Sequence, residues 1–105
     1  MKALVIVGEY GEKEQVVAAV AALETRLDEI IKEGNLSVLE LIGTNGSSES
    51  QTRVIDALRD MIEEAAKDDE DAAKEVMPYL IRLRDDGGAV ARKKADELIL
   101  SLIHI

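Results

Sequence analysis

The sequence predicts an all-α fold of two to three stacked helical repeats, and three observations carry that prediction. Apolar residues recur at steps of three and four: Val16, Val20, Leu23, Leu27 and Ile30, then Ile55, Leu58, Ile62 and Ala65. That spacing lines one face of a helix. Residues 4–27 align on 39–62 without a gap at an offset of 35, so the chain repeats itself. The apolar residues are Leu, Ile, Val, Ala and Met, with no Phe or Trp and only Tyr10 and Tyr79 as aromatics. Such a set of side chains belongs to packed helices.

Taken in order, each copy is a short apolar segment, a glycine-containing loop and a long amphipathic helix. The first copy has a short segment at 3–7, a loop at Gly8-Glu9-Tyr10-Gly11 and a helix over 12–33. Gly34-Asn35 then stops it, since Gly and Asn tolerate the left-handed conformation. The second copy repeats this with 36–42, a loop at Gly43-Thr44-Asn45-Gly46 and a helix over 49–67. A break near Asp69–Asp71, where an Asp can cap the next helix, leads to a helix over 71–84 that contains Pro78. The last helix covers 89–102, where Val90, Lys94, Leu98 and Leu102 keep the spacing with one polar interruption. In the third, looser copy Gly87 falls near Gly46, Ala95 near Ile55, Leu98 near Leu58 and Leu102 near Ile62. The whole is one domain, 1–105, with copies at approximately 1–35, 36–76 and 77–105.

The short segments 3–7 and 36–42 are the ambiguous elements. LVIV and SVLELI also suit strands, and strand, glycine turn and helix make a βα unit. The alternative is therefore an α/β fold, a βαβαβα three-layer fragment. Two physical arguments favour helices. A helix over 12–33 would be about 33 Å long, whereas a six-residue strand spans about 20 Å. Three short strands would also bury little, while stacked helical repeats bury a continuous core.

Composition excludes several function classes. With 22 acidic and 13 basic residues the formal net charge is −9. Nucleic acid and anionic membranes, which are bound by Lys and Arg, are disfavoured as partners. The absence of cysteine removes disulfides, thiolate metal sites and cysteine catalysis. The run MKALVIVGEYG is too short in its apolar part for a signal peptide, and nothing reaches membrane-spanning length. The expectation is a cytoplasmic protein that is not an enzyme.

Met77-Pro78-Tyr79-Leu80-Ile81-Arg82-Leu83 resembles the L-P-x-L-I-x-L-L helix start of armadillo and HEAT-type repeats. Asn35 to Ile42 follows the same pattern with Ser37 in place of the proline, and ESQTRVIDALRDMI, Glu49 to Ile62, resembles the armadillo stretch E-x-Q-x-x-A-x-x-A-L-x-N-I-A. The Asp85-to-Val90 spacing followed by Arg92 is similar to HEAT repeats, with the Arg displaced by one position. The resemblance covers about two and a half repeats and implies an armadillo/HEAT-like α-solenoid fragment. It also implies a non-catalytic protein–protein interaction scaffold with a protein partner, and self-association as a homo-oligomer through uncapped repeat ends. The Trp and Asn ladder of the peptide-binding members is missing. Ala21 and Asp56 stand where the Trp would fall, and Thr25 and Asp60 where the Asn would fall.

No residue is assigned to catalysis, a cofactor or a metal. Under the alternative reading Gly8–Gly11 and Gly43–Gly46 would cradle a nucleotide or phosphate at helix N-termini. Neither loop matches a phosphate-binding motif, Glu9 and Glu12 would repel an anion, and inter-helix turns account for the glycines. The run Asp68-Asp69-Glu70-Asp71 lacks the alternation and central glycine of a calcium loop. Arg82, Arg84, Arg92, Lys93 and Lys94 are interleaved with Asp85, Asp86, Asp96 and Glu97, a charged solvent face without stacking aromatics. His104 is the single histidine and has no Cys or second His to work with. The ending LSLIHI resembles a translated sequencing adapter, CTG-TCT-CTT-ATA-CAC-ATC. That implies a metagenomic fragment, or a generated or designed sequence without biological function, and would make His104 accidental.

Overall fold

The computed structural model describes Ile6, residues 11–68 and residues 70–103, without the side chains of 68, 70–72 and 103. Among the described residues there are six helices and no strand: α1 Lys13–Glu24, α2 Leu27–Glu33, α3 Leu36–Asn45, α4 Ser48–Asp68, α5 Glu70–Asp86 and α6 Ala89–Ile103. The fold is all-α. The βαβαβα alternative fails at 36–42, which forms α3 rather than a strand. Of segment 3–7 only Ile6 is described; it is helical and exposed. Gly8, Glu9, Tyr10, Asp69, His104 and the side chains of the 68–71 run lie outside the described residues.

The expected single helix over 12–33 is divided. α1 opens with the Glu12 N–H donating to the Gln15 carboxamide at 3.0 Å. It ends where the Thr25 hydroxyl donates to the Ala22 carbonyl at 2.7 Å and the Arg26 N–H to the Leu23 carbonyl at 2.9 Å. A threonine hydroxyl competing for a carbonyl of the preceding turn loosens the helical ladder. α2 restarts at Leu27 and stops at Gly34, whose φ of 68° lies in the left-handed region. The Asn35 N–H then reaches back to the Ile30 carbonyl and the Gly34 N–H to that of Ile31, closing the C-terminal motif that an αL glycine permits.

α3 begins with the Asn35 side chain accepting from the Val38 N–H at 3.4 Å. It runs one turn beyond the expected 36–42, so Gly43 lies inside the helix and is buried. The Thr44 hydroxyl and Asn45 amide donate to the Glu40 and Leu41 carbonyls in that last turn. Pro78 sits in the interior of α5, where it offers no N–H to the preceding turn.

α3 and α4 form one helical hairpin and α5 and α6 another. Across them α3 packs on α5 and α4 on α6, while α1 packs on α3 and α2 on both α3 and α4. α5 also packs on α4, and α4 and α6 run parallel: their first turns meet at Gln51 and Ala91, and later turns bring Ile55 and Arg59 to one groove with Lys94 and Leu98. One core joins Leu23, Leu27, Ile30, Leu39, Ile42, Val54, Leu58, Leu80, Leu83, Ala91, Ala95 and Ile99. Ala91 and Ala95 on α6 are fully buried in this core. The buried sets on α5 (Val76, Leu80, Leu83) and on α6 (Ala91, Ala95, Ile99) keep the helical step of three or four.

Gly43 is a point of close approach: a Cβ there would lie 2.9 Å from Leu83 Cδ2 and 3.2 Å from Val54 Cγ1. Its carbonyl lacks an intrahelical partner at the end of α3 and accepts the Gly88 N–H at 3.0 Å. The two hairpins are thus joined backbone to backbone at their turns.

Candidate functional site

A groove of about 230 Å³ lies between α4 and α6. Ile55, Asp56 and Arg59 line it from α4, and Lys94, Glu97 and Leu98 from α6. These residues lie one helical turn apart on each parallel helix, so their side chains rise from facing stripes. Ile55 is buried and Leu98 half-buried, giving an apolar floor. The walls carry charge of both signs. Arg59 is shared between Asp56 at 3.7 Å and Asp60 at 3.3 Å. Lys94 and Glu97 are neighbours on α6, yet no ion pair joins either to another described residue.

A network ties α1 to α4 beside this groove. The Ser50 and Ser47 hydroxyls donate to Glu24 Oε2 at 2.5 and 3.0 Å, and Ser47 Oγ accepts the Ser50 N–H at 3.2 Å. Ser47 therefore caps α4, and the Glu24 carboxylate lies against the positive end of its dipole. Asp28 on α2 pairs with Arg53 on α4. On the side built from α3 and α5, Arg82 makes a two-point contact with Glu40, Nε–Oε2 2.7 Å and Nη2–Oε1 3.1 Å. Its guanidinium also lies 4.4 Å from the Tyr79 ring centroid, within range of a cation–π contact. The hydrogen bonds that Arg82 donates to the Glu40 carboxylate push the guanidinium pKa above its ordinary value, against a smaller opposing effect of burial.

These positions bear on each residue set read from the sequence. Gly43 is a packing position inside α3 and not part of a loop. Gly46 follows α3 directly, and the α4 N-terminus beyond it is filled by the chain's own Glu24 carboxylate. A phosphate there would meet that negative charge. The expected charged face separates: Arg82 turns toward Glu40, Arg84 pairs with Asp85 at 3.1 Å, Lys94 lines the groove, and Arg92 and Lys93 are exposed. Asp56 lines the groove, whereas Ala21 is exposed on α1. Among the described residues no group of three or more His, Cys, Asp or Glu could hold a metal ion. Among the described residues no helix is long and apolar enough to cross a membrane either.

Sequence reasoning missed Gln51 and Glu24. Gln51 is buried, its Nε2 donating to the Gly46 carbonyl at 2.8 Å and its Oε1 accepting the Ala91 N–H at 3.0 Å. The signal was present, because one turn back from Ile55 the apolar stripe of α4 lands on Gln51. No protein-family model matches the chain, and no curated protein or solved structure is similar to it.

Proposed function

We propose that the chain is part of a helical-repeat scaffold of the armadillo/HEAT type, acting by protein–protein interaction without catalysis in the cytoplasm. The observation that carries this reading is the groove between the parallel helices α4 and α6, with its apolar floor and unpaired charges on its walls. Inter-helix grooves of this kind receive peptide segments through a few side chains. The occupant has an apolar side chain to lie on Ile55 and Leu98, a carboxylate for Lys94 and a basic group for Glu97. Two further exposed apolar side chains, Val17 on the first long helix and Leu100 on the last, are 55% and 49% exposed. They support self-association through the ends of the stack.

The test is a random-peptide selection on the immobilised chain, followed by NMR shift mapping of the enriched peptides. Under this reading, enriched peptides move the amides of Ile55, Arg59, Lys94 and Leu98, and Leu98→Glu abolishes binding. Peptides that bind the Leu98→Glu chain as well as the wild type would sink it, as would selection yielding no binder. Sedimentation at increasing concentration tests the second contact, which Leu100→Lys should abolish.

A further inference from the structure

Gln51 lies in the first turn of α4 and is 7% exposed, and both ends of its carboxamide are used. One end holds the Gly46 carbonyl, at the turn between α3 and α4. The other takes the N–H of Ala91, in the first turn of α6, where backbone donors have no intrahelical partner. Gly88 precedes α6 and its carbonyl accepts the Arg92 N–H at 2.8 Å, but it has no side chain with which to cap that helix. Gln51 supplies the cap from the neighbouring hairpin. A side chain on Gly88 would occupy the space of the Gln51 carboxamide, so the missing cap and the incoming amide depend on each other.

This contact lies one turn before the groove on both helices: Gln51 precedes Ile55, and Ala91 precedes Lys94. Among the described residues the Ala91–Gln51 bond is the hydrogen bond that crosses directly from α4 to α6. The walls of the groove itself carry no such tie. We infer that Gln51 is a positioning residue, a latch that fixes the separation of α4 and α6 and through it the width of the groove. Its consequence for binding rests on the docking reading above, whereas the latch is read in the free protein.

The variant Gln51→Met fills the same space without either hydrogen bond, whereas Gln51→Glu, studied at acid pH with its carboxyl protonated, keeps a donor for the Gly46 carbonyl and an acceptor for Ala91. Amide hydrogen exchange is followed by NMR on the full chain. Gln51→Met accelerates exchange at Ala91 and Gly88 by roughly tenfold more than at Leu58, since two hydrogen bonds of ordinary strength are lost locally. Gln51→Glu restores protection at Ala91. Equal acceleration at all three sites would show ordinary loss of stability and overturn the latch, and so would a Glu variant that behaves like Met. A peptide selected on the wild type then binds Gln51→Met roughly tenfold more weakly if the latch sets the groove. Unchanged affinity beside an opened latch overturns the positioning role. Absence of any wild-type binder counts against the docking reading alone, with the latch still decided by exchange.

Discussion

Replacing Gly88 by alanine adds one methyl group, and its cost follows from what that methyl displaces. Gly88 does not have a positive φ, so alanine meets no backbone penalty there. Its Cβ would overlap the Gln51 carboxamide, which can leave only by giving up its bonds to the Gly46 carbonyl and the Ala91 N–H. Two hydrogen bonds at about 0.5–1.5 kcal/mol each give about 1–3 kcal/mol, with more if the Ala91 N–H stays buried and unpaired. The stiffer unfolded chain returns about 0.4–1 kcal/mol. The expected net loss is about 0–2.6 kcal/mol, and more if the Ala91 N–H stays unpaired. Urea denaturation measures it: the midpoint should fall by up to roughly 2 M with an unchanged slope. The control is the same substitution in a Gln51→Ala background, where the methyl has room and the loss should shrink to within about 0.5 kcal/mol. An equal loss in both backgrounds would refute the reasoning, because the cost would not pass through Gln51.

Three other expectations follow from the packing. Gly43→Val drives a branched side chain against Leu83 and Val54, and overpacking there should cost about 2–4 kcal/mol in the same urea assay. Pro78→Ala restores an N–H to the interior of α5 and should raise stability by about 1–3 kcal/mol, seen as a higher melting temperature. Arg82 is raised by its bond to Glu40, so its contribution is complete below the unfolded-state value and is lost only as pH climbs through the strongly alkaline range. With its side chain 48% exposed, the pair contributes no more than about 1 kcal/mol. The difference in stability between wild type and Arg82→Ala should therefore show no step at neutral pH.

The helical stripes were legible because periodicity reports which face is buried: Val20, Leu23, Leu27 and Ile30, and Ile55, Leu58 and Ile62, all reach the core. Periodicity does not report how far one helix slides along another. The offset of 35 between the first two copies does not set the spatial register, in which Glu24 meets Ser50 and Asp28 meets Arg53, 26 and 25 residues apart, while Gln51 meets Ala91 across 40. The break at Thr25–Arg26 was hidden for a related reason. A threonine hydroxyl turned to its own helix leaves the apolar spacing on either side intact. Gly43 read as a loop residue because glycine signals turns, and only the approach of Leu83 from the other hairpin reveals it as a packing position. The groove could not be read at all, since Asp56 and Lys94 come to line one groove only once α4 and α6 lie parallel.

That parallel pairing is the central claim, and long-range NOEs test it most directly. The account expects helical Cα shifts through 36–45, together with NOEs from the Ala91 amide to the Gln51 carboxamide protons and from the Leu83 methyls to the Gly43 Hα. Strand-like shifts in 36–45 with neither NOE would contradict it.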